Sequence, residues 1–189
     1  AWDLFLEGKT SEAKKLVEQD FSIDTCTDFS LLNLMGYLLL AEKDYASCTH
    51  IFEKYILLAQ QNEDKENEHI GLHQLAMIYR DQGDFHKALK LIEDEEKIVE
   101  EHFPNDNLKK AVNNYEQGYV RFKLNNLDEA LTFMNLSLEQ SLETDDVISQ
   151  ACSYRGLGEI YLALEDTELS NRHFKRAIEL FESVGEFEG

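Results

Sequence analysis

The sequence predicts an all-α fold, a solenoid of antiparallel helix pairs, and three observations lead to that prediction. A pattern of small, polar and apolar residues recurs at nearly constant spacing along the 189 residues. The chain holds one proline and nine glycines, and so few helix breakers over this length favour helix. Polar stretches that contain Asp and Asn separate the apolar segments, as expected between helices.

The first position of the pattern is a small residue in the middle of the first helix of each pair. It is occupied by Gly36, Ala76, Gly118 and Gly158, at successive offsets of 40, 42 and 40 residues. A small side chain shortens the distance at which two helices can pack. We therefore expect each of these residues to lie where the two helices of a pair make contact.

The second helix of each pair carries a matching small residue near its start. A partial copy, which precedes the first full copy by 35 residues, opens the chain and contributes Ala13. One helical turn after the small residue comes a larger apolar residue, which should lie on the buried stripe. The small residues are Ala13, Cys48, Ala88, Ala130 and Ser170, and the larger residues of the full copies are Phe52, Ile92, Met134 and Phe174.

A polar residue stands at the turn between the two helices of each pair. Asp44, Asp84, Asn126 and Asp166 each precede the second helix, where a side-chain oxygen can accept hydrogen bonds from free backbone N–H groups. Between pairs we predict polar linkers at Gln60–Glu68, Glu101–Leu108 and Glu143–Asp146. The sequence thus predicts one domain of residues 1–189, with a partial repeat at 1–20 and repeats at about 29–62, 69–102, 111–144 and 151–184.

This pattern resembles the tetratricopeptide repeat family over nearly the whole chain, from Leu4 to about Glu182. The usual repeat has 34 residues, and the longer repeats found here resemble those of bacterial quorum-sensing peptide receptors. The resemblance implies about four and a half repeats, nine helices with the first truncated, and a right-handed superhelix. The best-matching copy, His69 to Glu101, carries Leu72, Leu75, Ala76, Tyr79, Gly83, Phe85, Ala88 and Ile92.

In this family the first helix of each pair lines a concave groove that binds a peptide or an extended protein segment. Tyr115, Tyr119 and Phe122 fall at i, i+4 and i+7 on one helix face and suit apolar anchors of a peptide. The alternative is that these rings pack only against neighbouring helices. The resemblance predicts a partner-binding set of Asn33, Tyr37, His73, Gln74, Met77, Arg80, Tyr115, Tyr119, Phe122, Lys123, Arg155 and Glu159.

The matching groove positions lack the lysines with which chaperone-binding members of the family hold a C-terminal carboxylate, so we do not expect a chaperone tail as the partner. His69 and His73 have i, i+4 spacing, but no third metal ligand accompanies them. Gly-rich phosphate loops and recognisable catalytic triads are absent from the sequence. We therefore expect no enzyme activity, no catalytic residue, no metal and no cofactor.

The charge and the cysteines limit the possible partners. The net charge of −20 disfavours nucleic acid and anionic membrane surfaces. Three cysteines without metal-type spacing, and no signal peptide or membrane span, favour the reducing cytoplasm. The chain begins with Ala1, which is compatible with a fragment of a longer protein.

Two functions follow from these observations. The favoured one is a protein- or peptide-binding module that forms the ligand-sensing or scaffold part of a bacterial regulatory protein. The alternative is a structural homodimer without a peptide ligand, assembled through the terminal helices. In that case Phe174, Ile178 and Phe181 near one end, and Trp2 and Phe5 near the other, would be covered by the second copy.

Overall fold

The described part of the chain is built from helices alone. The computed structural model describes residues 1–18 and 21–185, which form ten α-helices and no strand. The helices are α1 (Trp2–Leu6), α2 (Thr10–Glu18), α3 (Phe29–Ala41), α4 (Tyr45–Gln61), α5 (Lys65–Asp81), α6 (Phe85–His102), α7 (Asn107–Lys123), α8 (Leu127–Leu142), α9 (Val147–Ala163) and α10 (Thr167–Ser183).

The described residues thus contain ten helices where the sequence analysis predicts nine. The additional helix comes from the partial copy at the start, which forms both the five-residue α1 and the nine-residue α2. Gly8, between them, has a φ of 75°, a left-handed conformation that glycine adopts without steric cost. The predicted partial repeat at 1–20 ends on residues 19 and 20, which lie outside the described residues.

The chain forms two compact units, Ala1–Leu91 and Ile92–Gly189. In the first unit, Leu32, Leu38 and Phe52 are almost completely buried in an aliphatic and aromatic core. In the second unit, a separate core cluster contains Ala130, Met134, Leu157 and Ile160. The predicted repeat boundaries and the single domain of residues 1–189 stay predictions.

Close packing at the small residues is confirmed. A Cβ atom added to Gly36 would lie 2.5 Å from the ring of Phe52, and one added to Gly158 would lie 2.8 Å from the ring of Phe174. At Gly118 the neighbours are backbone atoms of α8 as well as a side chain. The small residues of the second helices, Ala13, Cys48, Ala88, Ala130 and Ser170, are at most 1% exposed.

Most of the predicted helix caps are present. Asp44, Asp84 and Asp166 each accept a hydrogen bond from the backbone N–H three residues later, at 3.1, 3.3 and 3.0 Å. The capping prediction for Asn126 is wrong, because its side chain makes no capping hydrogen bond. The hydrogen bond from Arg121 lowers the pKa of the nearby Glu129, and the Asn126 side chain contributes in the same direction.

The predicted linker Gln60–Glu68 is too long, because helix occupies most of it. α4 continues to Gln61 and α5 begins at Lys65, so only three residues connect them. Within this turn Glu63 has a φ of 54°, and Asp64 caps α5 by accepting from a backbone N–H at 3.0 Å. The Gln, Lys and Glu residues around the turn are good helix formers, which explains why a polar stretch remains helical.

The other two linkers also have defined limits. The predicted linker Glu101–Leu108 is also too long, because α6 continues to His102 and α7 begins at Asn107. The linker Glu143–Asp146 is confirmed, since α8 ends at Leu142 and α9 begins at Val147.

Candidate partner-binding site

The first helices of two consecutive pairs, α7 and α9, contact each other in the second unit. The rings of Tyr115 and Tyr119, one turn apart on α7, stack with centroids 6.3 Å apart. Arg155, on α9, donates a hydrogen bond from Nη2 to the Tyr115 hydroxyl oxygen at 2.9 Å. The structure therefore brings together three of the predicted binding residues from two helices.

A basic side chain extends this aromatic surface at the end of α7. The Nζ atom of Lys123 lies 5.0 Å from the ring centroid of Tyr119 and 5.4 Å from that of Phe122. Lys123 is exposed, whereas both rings are half-buried. An ammonium group over aromatic rings is a cation–π arrangement, so Lys123 adds a positive charge to the aromatic surface.

The rings of Tyr115, Tyr119 and Phe122 also contribute to the core. They pack against the cluster that contains Met134 and Leu157. The two interpretations of these rings, core packing and a binding surface, are therefore compatible, because each half-buried residue packs against the core and keeps part of its surface accessible.

The environment of Tyr115 keeps its hydroxyl group protonated. Burial raises the pKa of Tyr115 to about 12, against the opposing effect of Arg155. The hydroxyl oxygen accepts from Arg155, so its proton is available for an acceptor on a partner. Burial lowers the pKa of Arg155, but Tyr115, Cys152 and the half-buried Glu159 raise it more, so Arg155 stays charged.

In the first unit, the structure joins Tyr37 of α3 to Gln74 of α5. The Nε2 atom of Gln74 donates to the Tyr37 hydroxyl oxygen at 3.0 Å. The rings of Trp2 and Phe5 both lie 6.1 Å, centroid to centroid, from the ring of Tyr37. Much of the Tyr37 side chain is therefore engaged within the chain.

The remaining predicted residues of the first unit have varied environments. The Oδ1 atom of Asn33 is buried and has no hydrogen-bond partner in the described part of the chain. His73 and Met77 are half-buried on α5. Arg80 forms an ion pair with the adjacent Asp81 at 3.2 Å. Their role in partner binding stays a prediction.

Three buried polar residues of α7 form a chain of hydrogen bonds, a polar ladder, that the sequence pattern did not predict. Asn113, Gln117 and Arg121 follow one another at intervals of four residues, and all three are less than 9% exposed. Asn113 Nδ2 donates to the Ile92 carbonyl oxygen at 3.0 Å, and Gln117 Nε2 donates to Asn113 Oδ1 at 3.2 Å. Arg121 Nη1 then donates to Gln117 Oε1 at 2.6 Å. The i, i+4, i+8 spacing of polar residues on an inward face was the available signal.

Arg121 links this ladder to two other helices. It forms ion pairs with Glu93 of α6 at 3.2 Å and with Glu129 of α8 at 2.9 Å. Its guanidinium carbon also lies 4.2 Å from the ring centroid of Phe133. Arginine suits this position because its planar group directs several N–H donors at once. The ladder therefore stabilises the packing of α7 within the second unit.

The apolar residues of α10 that a homodimer would cover, Phe174, Ile178 and Phe181, are partly packed within the chain. Phe174 is half-buried and lies over Gly158 of α9, and Phe181 is also half-buried. Ile178 is 41% exposed.

In the ranges 1–18 and 21–185, no three His, Cys, Asp or Glu side chains are grouped in a way that would hold a metal ion. None of the helices in these ranges is both long and apolar enough to cross a bilayer.

Solved structures share this fold. BtubC (BKLC) from P. vanneervenii superimposes with a TM-score of 0.77 at 15% identity, over 98% of this chain and 78% of that one. A Podosopora anserina protein assigned as a kinesin light chain, with nearly identical TPR-like repeats, gives 0.71 at 14% identity, over 98% and 93%. MamA from Desulfovibrio magneticus RS-1 gives 0.66 at 18% identity, over 97% and 92%. Identities this low establish similarity of fold alone.

Sequence comparison identifies the family. No curated protein matches the chain significantly. Tetratricopeptide repeat profiles match residues 107–183 and 71–94, which together make up more than half of the chain. The likeness to quorum-sensing receptors stays a prediction. The paired helices, the profile matches and the similar structures agree, and the chain belongs to the tetratricopeptide repeat family.

Proposed function

We propose that the surface formed by Tyr115, Tyr119, Phe122, Lys123 and Arg155, the α7–α9 face, binds an extended segment of a protein partner. The fold is that of a protein-interaction or scaffold module. The observation that carries the proposal is the pairing of stacked tyrosine rings with a guanidinium group on the neighbouring helix. In a regulator of the bacterial cytoplasm, this face would serve as the ligand-sensing or scaffold part.

The side chains of the face favour a particular kind of segment. Half-buried aromatic rings provide an apolar surface for an anchoring side chain, and aromatic residues and arginine are common where binding energy concentrates. Arg155 and the exposed Lys123 are positive, so a carboxylate on the partner would be attracted to them. We therefore expect an apolar residue and an acidic residue close together in the bound segment.

A displayed library of random peptides, selected on the wild-type chain, tests the proposal. Enriched peptides should bind in calorimetry, and Tyr119→Ala should weaken binding at least about tenfold, because losing a central ring at an interface commonly costs more than 1 kcal/mol. Tyr161→Ala is the matched control, since Tyr161 contacts the same core cluster but stacks on His173 of α10.

The control separates lost contacts from lost stability. Both substitutions remove a half-buried tyrosine ring from one cluster, so both should lower the melting temperature by a similar amount. Only Tyr119→Ala should reduce peptide affinity. Peptides that bind the two variants equally well, or a selection that enriches none, would remove the support for the α7–α9 face as the site.

A homodimer through the terminal helices is the second candidate. The exposed Ile178 on α10 is the observation that favours it. Light scattering at increasing concentration should then show a dimer for the wild-type chain and a weaker dimer for Ile178→Ser. A strictly monomeric wild-type chain would exclude this candidate.

A further inference from the structure

A polar cavity lies on a different side of α7 from the α7–α9 face. Its volume is about 270 Å³. The residues that matter for its chemistry are Glu96 and Glu100 of α6, Lys110, Asn113 and Asn114 of α7, and Gln140 of α8. All of them belong to the second unit. Because the α7–α9 face uses other residues, a ligand here would be independent of the proposed function.

Two carboxamide groups border the cavity with unused hydrogen-bonding atoms. Asn114 is only 9% exposed, and its Nδ2 atom donates to Gln140 Oε1 at 2.7 Å. This bond leaves Asn114 Oδ1 without a donor, and Gln140 Nε2 without an acceptor, within the described residues. Asn114 Oδ1 is therefore an acceptor that borders an open cavity and is available to a donor group placed there.

The neighbouring residue Asn113 shows the contrast. It is 2% exposed, its Nδ2 donates to the Ile92 carbonyl oxygen, and its Oδ1 accepts from Gln117. Both ends of this carboxamide are therefore used inside the fold. Asn113 forms the wall of the cavity, whereas Asn114 offers the available acceptor.

The charges at the cavity favour a cation. Glu96 and Glu100 lie one turn apart on α6, and both carboxylates border the cavity. Lys110 is the one cation among the lining residues that the structure describes, and its ammonium group donates to the Pro104 carbonyl oxygen. Carboxylate and amide oxygens are hydrogen-bond acceptors, so they suit a group that carries both N–H donors and positive charge.

We propose that this cavity binds an alkylguanidinium or alkylammonium group, the chemistry of an arginine or lysine side chain of a protein and also of a free polyamine. The cavity is slightly smaller than pockets for whole small molecules, which span roughly 300–1,000 Å³, so a single side chain or a linear amine is a suitable occupant. The cation hydrogen-bonds Asn114 Oδ1 and pairs with Glu96 and Glu100. Gln140 Nε2 donates to a carbonyl oxygen next to the cation when the source is a peptide.

The first arm of the test uses Nα-acetyl-arginine methyl ester and Nα-acetyl-citrulline methyl ester, which has an uncharged side chain; acetylation removes the α-ammonium charge from both. Side-chain amide signals of Asn114 and Gln140 are followed by NMR at about 0.15 M salt, which screens the general attraction of an acidic protein for cations. The arginine ester should shift these two signals, and the citrulline ester should bind at least about tenfold more weakly, because charged hydrogen bonds are the stronger ones. Equal binding of the two esters, or no shift with either, would overturn the proposal.

Matched variants assign the effect to the cavity. Glu96→Gln keeps the size of the side chain and should weaken arginine ester binding about tenfold. Glu168→Gln makes the same change of net charge on α10, which does not line the cavity, and should leave the affinity unchanged. Equal weakening by both variants would mean nonspecific attraction by net charge and would contradict the proposed site.

A second arm, with spermidine as the probe, distinguishes the two sources of the cation. Spermidine binding that is as tight as that of the arginine ester, and that is weakened by Glu96→Gln, assigns the cavity to free polyamines. Binding of the arginine ester alone assigns it to the side chain of a protein. Both results support the shared chemistry.

Discussion

Replacing Gly118 with alanine would test the close approach of α7 and α8 in the second unit. A Cβ atom at this position would lie 3.1 Å from the backbone nitrogen of Met134, 3.2 Å from the carbonyl oxygen of Ala130 and 3.2 Å from Met134 Cε. Two of these neighbours are backbone atoms of α8, so relief of the contact requires the helices to separate slightly. In a closely packed interior such a shift weakens other contacts.

Two effects of opposite sign determine the result. In an unconstrained helix interior, alanine is better than glycine by about 1 kcal/mol. Overpacking of a core typically costs about 1–3 kcal/mol. We therefore expect Gly118→Ala to lower the free energy of unfolding by about 1 kcal/mol, which corresponds to a fall of about 2–4 °C in the melting temperature of a chain of this length. Urea and thermal unfolding followed by circular dichroism measure both quantities.

Gly156→Ala is the matched comparison, because it also faces Met134. Its Cβ atom would lie 2.5 Å from Met134 Cε and 2.6 Å from Sδ. The thioether is flexible and can change rotamer, so we expect a smaller loss than at Gly118 although the initial contact is shorter. A more stable Gly118→Ala variant, with a gain near the 1 kcal/mol of helix propensity alone, would refute the reasoning.

Three further predictions concern the left-handed turn residues, the loss of stability at low pH and the buried Arg121. Glu165 has a φ of 64° and Gly83 a φ of 79°, a left-handed conformation that favours glycine. Thermal unfolding should therefore show that Glu165→Gly is more stable than the wild type by about 0.5 kcal/mol and that Gly83→Ala is less stable by about 1 kcal/mol. The opposite order of stabilities would contradict this reasoning. The hydrogen bond from the Asn67 backbone lowers the pKa of Asp64, so the stability it contributes is present at neutral pH and is lost as the pH falls below about 3.9, the usual value in an unfolded chain. Asp64→Asn should therefore reduce the decline in urea-measured stability between roughly pH 5 and pH 2, and an unchanged decline would exclude this role. Arg121→Met should lose about 1–3 kcal/mol of stability to urea, because it removes charged hydrogen bonds to two glutamates; wild-type stability would show that the ladder contributes little.

The helix pairs were predictable because their signals are local. The small residue at Gly118 and the cap at Asp166 act on groups within one pair, and the structure confirms both. The linker Gln60–Glu68 was misjudged for a related reason. Polarity alone does not distinguish an exposed helix end from a loop, whereas the left-handed Glu63 limits the turn to three residues.

The candidate sites were predictable only in part. Spacing on one helix placed Tyr115, Tyr119 and Phe122 on a common face, but the bond from Arg155 joins side chains 40 residues apart. The carboxamide pair of Asn114 and Gln140 spans 26 residues and left no pattern in the sequence. Both contacts depend on how neighbouring helices pack.

By itself, the sequence determined the all-helical class, the repeat and the residues at which paired helices touch, because small size, capping and helical periodicity are properties of residues close together in the chain. Helix packing decided which polar residues of α7 are buried, how far the tyrosine rings enter the core, and that a polar cavity borders Asn114. The physical reason is that burial and hydrogen bonding belong to the space between helices. Whether a side chain is exposed or buried depends on residues of neighbouring helices, which lie far away in the sequence.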